Sequence, residues 1–282
     1  MTYNLILAGL SVTIRTPWGM TISDRWRPFL TETAIEQADC TITVQPCDAL
    51  PQLLAGGLWH GNVYYEQNGD TQRVFHTKGD HASPYALVEF QTSGQVLVSM
   101  LSAFADEFVN LSTLFHFVEF EYWLLQHGGL VLHASLIQDQ GCGIVFAGPS
   151  GVGKSTQATL WNRYRGAEIL NGDRAVLRKT DAGWTAFGSP FAGTSGVYRN
   201  ECVPLTAIAV LRQASENRVH TLGSAEALRR LYPEFSVHRF DGRFAERAID
   251  LALDLIAQVP VYLLDCLPNE QAVQTLKEGI SC

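Results

Sequence analysis

Through the first half of the chain apolar and polar residues alternate, and a period of two predicts strands. The segments "YNLILAGLSVTIRT" and "DCTITVQ" carry it first. Two longer runs double back on themselves: "NVYYEQNGDTQRVFHT" with Asn68-Gly69 at its centre, and "YALVEFQTSGQVLVSML" with Ser93-Gly94. Turn residues between two alternating runs are the signature of a hairpin. The period then changes. From Phe104 onward Leu111, Leu114, Phe115, Val118 and Tyr122 recur at helical spacing, and Gly128-Gly129 supplies a C-terminal stop. The pattern predicts one helix over this stretch and a domain boundary at its end. Residues 1–128 then form a smaller, strand-rich α+β domain, and residues 129–282 form a second domain.

The second half mixes the two periods. "LVLHASLIQ" reads as a strand, Asp139-Gln140-Gly141 as a turn, and "CGIVFAG" as the short, continuously apolar strand of a buried sheet. A helix is predicted from Lys154 to about Tyr164. "AEIL" leads into "NGDRAVLRK", "GWTAF" is placed to pair with "AVLRK", and "LTAIAVLRQ" and "VPVYLLDC" are further strands. "SAEALRRLYPEF", "FAERAIDLALDLIAQ" and "NEQAVQTLKEG" read as helices. The order defines an α/β domain with several hairpins.

Composition narrows the function classes. The 282 residues are 46% hydrophobic and 17% charged, enough to bury a core and to exclude global disorder. A net charge of −8 without a Lys/Arg cluster argues against nucleic acid as a partner. No apolar run reaches membrane-spanning length and the opening residues form no basic leader, so the expectation is a cytoplasmic protein with no membrane partner. Cysteines at 40, 47, 142, 202, 266 and 282 show neither Cys-x-x-Cys nor histidines at metal spacing. They read as free, mostly buried thiols of a reducing compartment. Asn110-Leu111-Ser112 fits a glycosylation triplet but falls inside the predicted helix. Homo-oligomerisation stays open.

One stretch carries chemistry. Gly148-Pro149-Ser150-Gly151-Val152-Gly153-Lys154-Ser155 fits G-x-x-x-x-G-K-[ST] at every position, after an apolar strand and before a helix. Glycines let successive backbone N–H groups point inward, and with the helix N-terminus these form an anion nest. Lys154 can reach the β- and γ-phosphates of a nucleotide, and the Ser155 hydroxyl can bind Mg²⁺, with Thr156 beside it. A metal site needs a carboxylate as well, and the nearest candidate is Asp173 in "EILNGDRAV", a metal ligand, a base for an acceptor hydroxyl, or both. His133 lies on the strand that precedes the loop's own strand, where adjacent strand ends converge.

Together "LHAS", "GIVFAGPSGVGKST" and "ILNGDRAV" resemble the catalytic domain shared by HPr kinase/phosphorylase and the phosphoenolpyruvate carboxykinases. The resemblance covers roughly Leu130 to Cys266. It implies a C-terminal P-loop domain of that type, with ATP and Mg²⁺ as its cofactors. Within the family the chain looks most like uncharacterised relatives of HPr kinase, some of which phosphorylate serine on peptides. By that likeness His133 falls on the active-site histidine, Lys154 and Ser155 on the phosphate and metal positions, and Asp173 on the first acid of an Asp-Asp pair. Arg174 stands where the second acid would be. The family also has a glycine-containing loop facing the acceptor, and "FGSPFAGTSGVYRNE" occupies a similar place. Gly193, Thr194, Ser195 and Gly196 offer donors there, and Arg199 is a cation that can stabilise phosphoryl charge. The sequence thus predicts nucleotide binding by Gly148, Ser150 to Lys154, Ser155 and Thr156, metal binding by Ser155 and Asp173, and catalysis by Asp173, His133, Lys154 and Arg199. Two readings stand. One is a kinase acting on a hydroxyl of a peptide, protein or small molecule. The other is a non-catalytic nucleotide-binding accessory, consistent with the missing second acid.

Overall fold

The computed structural model describes residues 1–79, 83–91, 94–239 and 241–280. Ser93 of the second predicted turn and the thiol of Cys282 lie outside the described residues. The fold is mixed α/β with two sheets, and the chain divides into two compact units, Met1–Trp123 and Leu124–Cys282.

Nine strands build the first unit: β1 (Thr2–Leu7), β2 (Leu10–Arg15), β3 (Leu30–Thr31), β4 (Cys40–Cys47), β5 (Leu58–His60), β6 (Val63–Asn68), β7 (Thr71–Thr77), β8 (Pro84–Phe90) and β9 (Gln95–Leu101). Their order in the sheet is β3-β1-β2-β4-β9-β8-β7-β6-β5. Both predicted hairpins form, β6–β7 in register from Asn68↔Thr71 and β8–β9 from Phe90↔Val96. The run from Tyr3 also folds back on itself, at Ala8-Gly9, to make β1 and β2.

The single long helix expected after β9 is broken into three pieces. A 3₁₀ segment covers Ser102–Phe108, followed by α1 (Leu111–Phe117) and α2 (Phe120–Gln126). The Asn110 side chain accepts from the Ser112 N–H at 2.8 Å, which caps and starts α1. Asn110 is therefore a helix cap rather than a residue within a helix. Glu119, at φ +44°, ends α1 before α2 can continue it, and its carboxylate accepts from the buried Tyr65 hydroxyl. A second correction concerns the cysteines. Cys142 is disulfide-bonded, so the expectation of six free thiols fails there, while Cys40, Cys47, Cys202 and Cys266 are free.

The second unit holds β10 (Gly129–Asp139), β11 (Cys142–Ala147), β12 (Glu168–Asn171), β13 (Arg174–Thr180), β14 (Gly183–Phe187), β15 (Cys202–Gln213), β16 (Arg218–Thr221) and β17 (Val261–Cys266). Its helices are α3 (Lys154–Arg165), α4 (Ser224–Leu231), α5 (Gly242–Gln258) and α6 (Glu270–Gly279). The two longest strands each belong to two sheet regions. The first part of β10 (Gly129–His133) pairs with β13, and the rest pairs with β11 on one edge and β12 on the other. The start of β15 pairs with β14, and its remainder runs parallel to β11 and β17. The unit's core lies where Ile144, Phe146 and Leu264 meet Ala158 and Trp161 of α3 and Leu276 of α6. α4 stops at Leu231, short of the predicted end, because Pro233 opens a 3₁₀ turn at Tyr232–Glu234 and cannot donate to a continuing helix. Among the described residues no helix is long and apolar enough to cross a membrane.

Candidate phosphate-binding and catalytic site

β11 ends at Ala147, flanked by the antiparallel β10 and the parallel β15, and the glycine loop leads from it into α3. Gly148, Gly151 and Gly153 have φ of +136°, +79° and +116°, a region that an L side chain rarely adopts, so this path of the loop requires glycine. The first turn of α3 contains neither a side-chain cap nor an acidic residue. Its N–H groups are left to an external acceptor, and the helix dipole favours an anion there. Ser150, Ser155 and Thr156 are exposed, and Val152 is half-buried against Gly148. Lys154 is the buried member. Its Nζ donates to the carbonyls of Gly148 at 2.8 Å and Pro149 at 3.3 Å. Burial lowers its pKa, and the charges of Glu234 and Asp173 act in the opposite direction.

His133 sits where β10 changes partners, and the acids reach it from both edges. On one edge His133 pairs with Arg174, the first residue of β13, while Leu136 pairs with Asn171, the last of β12. Gly172 and Asp173 bend between the two pairings in unchanged register, opposite Ser135 and Ala134, and the register shift falls one step further on, between Leu136 and Ile137. Buried Asn171 fixes the bend. Its Oδ1 accepts from the N–H groups of Asp173 (2.8 Å) and Arg174 (2.7 Å), and its Nδ2 donates to the Ser189 carbonyl at 3.0 Å. The Asp173 carbonyl accepts from the Ala134 N–H at 2.8 Å. The result is an Asp173 Oδ1 at 3.4 Å from His133 Nε2. On the other edge an isolated antiparallel bridge joins Leu132 to Phe235, and the Ser236 N–H donates to the Val131 carbonyl at 2.9 Å. One step along that pairing sets Glu234 beside His133, with Oε2 at 3.4 Å from Nδ1.

Sequence reasoning missed Glu234 because it placed the residue in a helix. Pro233 is the local signal that the helix stops, but only the tertiary bridge to β10 brings the carboxylate to His133.

The loop after β14 reaches the same place. A Cβ on Gly193 would stand 2.5 Å from Asp173 Cγ, so glycine is what lets the loop backbone approach the carboxylate. A Cβ on Gly172 would meet the Ser195 side chain, whose hydroxyl donates to the Ala192 carbonyl at 2.6 Å. Arg199 is not brought to the cluster. Its guanidinium lies 2.9 Å from Glu168 and 3.6 Å from Glu201. Arg174 is half exposed, with Nε 3.9 Å from Asp173 Oδ2. A cavity of about 530 Å³ opens over the loop, lined by Ser150, Gly151 and Val152, by Arg212 and Gln213 at the end of β15, and by Glu234.

The side chains fit a nucleotide with Mg²⁺. The uncapped helix start and inward lysine suit a polyphosphate. Among the described residues no three His, Cys, Asp or Glu side chains form a metal cluster, but Mg²⁺ does not need one. It keeps several waters and takes one or two carboxylates together with substrate phosphates. Ser155 and Asp173 are such donors.

Fold and site define an α/β protein in which a strand, a glycine loop and a helix face a histidine held between two acids. Residues 101–270 match the family described as SynChlorMet cassette protein ScmC, and the chain belongs to that family. No curated protein matches it. Among solved structures it is similar to the Hpr(Ser) kinase/phosphatase from Coxiella burnetii, at 12% identity over 53% of this chain and 94% of that one, with a TM-score of 0.32. A likeness of that degree carries no functional conclusion.

Proposed function

We propose that the second unit binds ATP with Mg²⁺ on the loop Gly148–Ser155 and transfers the γ-phosphoryl group to a hydroxyl of a peptide, protein or small molecule. The observation that supports this best is the convergence of Lys154, at the head of an uncapped helix, with Asp173 and His133. The inward N–H groups of the loop and α3 take the phosphates. The Lys154 ammonium leaves the carbonyls of Gly148 and Pro149 for the β- and γ-phosphate oxygens. Ser155 and Asp173 would hold Mg²⁺, which when bound would neutralise charge on the phosphates. Asp173 then accepts the proton of the attacking hydroxyl as its oxygen bonds to the γ-phosphorus. The bond from that phosphorus to the β–γ bridging oxygen breaks, and ADP leaves. His133, beside Asp173, orients that carboxylate. Catalysis of this kind is mostly positioning and electrostatics. Arg199 has no part in this reading, because its guanidinium faces Glu168.

A second reading, nucleotide binding without transfer, is favoured by Arg174, a cation 3.9 Å from the candidate base. Incubation with γ-labelled ATP and Mg²⁺ separates the two. The family's description as a cassette protein motivates peptides and proteins encoded beside it as first acceptors. Label on an acceptor is the expected result. Tight ATP binding with no label on any acceptor overturns the kinase reading in favour of the accessory.

A further inference from the structure

We propose that Glu234 is the second carboxylate of the nucleotide site, and that it makes ATP binding conditional on a divalent cation. The inference rests on the nucleotide-binding reading above and names a residue that the loop motif does not contain. Three placements carry it. Glu234 is fixed by backbone pairing, through the Leu132–Phe235 bridge and the Ser236–Val131 hydrogen bond, so its position does not depend on a flexible arm. Its carboxylate is mostly withdrawn from solvent, with 12% of the side chain exposed, and stands 3.4 Å from His133 on the side away from Asp173. It also lines the cavity over the glycine loop, on the floor of which the phosphates would lie.

A fixed, poorly solvated carboxylate facing an anion nest repels a bound polyphosphate. His133 is shared between Glu234 and Asp173, and the Arg239 guanidinium donates to the backbone carbonyls of Tyr232, Pro233 and Phe235. The two arginines lining the same cavity are engaged elsewhere, Arg212 with Asp265 at 2.7 Å and Arg230 with Glu226 at 2.8 Å. Lys154, which feels the charges of both Glu234 and Asp173, is a single cation for two acids and the phosphates together. A divalent cation between acids and phosphates turns the repulsion into attraction. Arg174 opens β13 with a cation, and Glu234 supplies a carboxylate from the opposite edge of β10.

The test is ATP titration by calorimetry on the full chain, once with excess Mg²⁺ and once in EDTA, for the unmodified protein and Glu234→Gln. Glutamine keeps an amide oxygen for His133 and removes only the charge. The unmodified chain should bind at least about tenfold more weakly in EDTA, and Glu234→Gln should raise the EDTA affinity by about tenfold, so that the dependence on Mg²⁺ collapses. Glu234→Ala repeats the measurement if the glutamine variant does not fold. Equal dependence on Mg²⁺ in the unmodified chain and the variants overturns the role of Glu234 and leaves the nucleotide site standing. Failure of the unmodified chain to bind ATP in either condition overturns the site itself, and this inference with it.

Discussion

The buried polar pairs of the first unit contrast with the polar cluster beside the glycine loop of the second. In the first unit the buried polar groups are closed off in short pairs. Arg73 Nη1 lies 2.6 Å from Glu66 Oε1, and both side chains are almost inaccessible. Glu119 is bonded by the Tyr65 hydroxyl, and burial pushes its pKa up to about 8. His76 Nε2 lies 3.2 Å from the Phe117 carbonyl, and burial pulls its pKa down to about 4. In the second unit Asp173 and Glu234 each stand 3.4 Å from His133, on opposite sides of its ring and partly open, near a lysine whose ammonium donates to loop carbonyls. Closed pairs satisfy desolvated groups and serve the fold. The acids that stand just beyond hydrogen-bond distance of His133, next to an uncapped helix start, are the groups that the proposed function assigns to a ligand. Charge removal should therefore alter ligand behaviour in the second unit and stability in the first.

The largest effect belongs to Asp173→Asn. Asparagine keeps size and hydrogen bonding and loses the proton acceptor, so γ-label transfer should fall by about 10²- to 10⁴-fold, the range for a general base. ATP affinity with Mg²⁺ should fall by less than about tenfold, because Glu234 remains as a carboxylate for the cation. Transfer at the parent rate would move the base elsewhere, His133 being the neighbour.

Lys154→Ala comes next. Removing a charge-assisted contact to phosphate should weaken ATP by about 10- to 100-fold, equivalent to about 1.5–3 kcal/mol. The melting temperature should not fall, because the ammonium is buried against carbonyls that water can reach once it is gone. A variant that binds ATP like the parent would break the assignment of the loop.

In the first unit the expected signature is pH dependence. Glu119 titrates near 4.5 when unfolded and near 8 when folded, so between these values the folded chain holds the extra proton and stability falls as pH rises. His76 has its unfolded value at 6.5 and its folded value near 4, so the unfolded chain holds the extra proton there and stability rises with pH. The two slopes oppose one another from 4.5 to 6.5, and Glu119 acts alone from 6.5 to 8. Thermal unfolding should show a loss of about 1–2 kcal/mol over that upper interval, since each pH unit is worth at most about 1.4 kcal/mol per proton. Glu119→Gln should flatten it. An unchanged slope in the variant would show that another group titrates.

Much of this was legible in the sequence, and the losses have physical causes. Local chemistry announces itself. Asn68-Gly69 gave a hairpin, and the glycine pattern at 148–153 gave a strand–loop–helix with Lys154 at its head. The helix after β9 was misjudged because a backbone turn at Glu119, with a partner 54 residues away at Tyr65, overrides a clean apolar period. Glu234 was invisible for a related reason. Its neighbour across the sheet, His133, lies about a hundred positions earlier, and no local pattern encodes that bridge. Asn171 had no role in the sequence reading, and only its burial and its bonds to the N–H groups of Asp173 and Arg174 reveal that it holds the bend that presents Asp173.

The smallest expected effect, and the one that most sharpens the contrast between closed and open charges, is at Arg174. The position is conspicuous because the sequence reading expected an acid beside Asp173 and the chain has a cation there. Its side chain is 48% exposed and its Nε is 3.9 Å from Asp173 Oδ2, too far for a hydrogen bond and well placed for screening by water. Such a pair is worth about 0–1 kcal/mol, so Arg174→Ala should shift ATP affinity by less than about fivefold and leave the melting temperature nearly unchanged. Arg174→Asp is more telling. If the site lacks a second acid, the substitution restores one and transfer should rise. If Glu234 already provides it, a third carboxylate adds only repulsion against the phosphates. ATP affinity in EDTA should then fall, and transfer should not improve. We expect the second outcome. A gain in transfer by Arg174→Asp would mean that the acid pair was lost at β13 and never replaced from the other edge of β10.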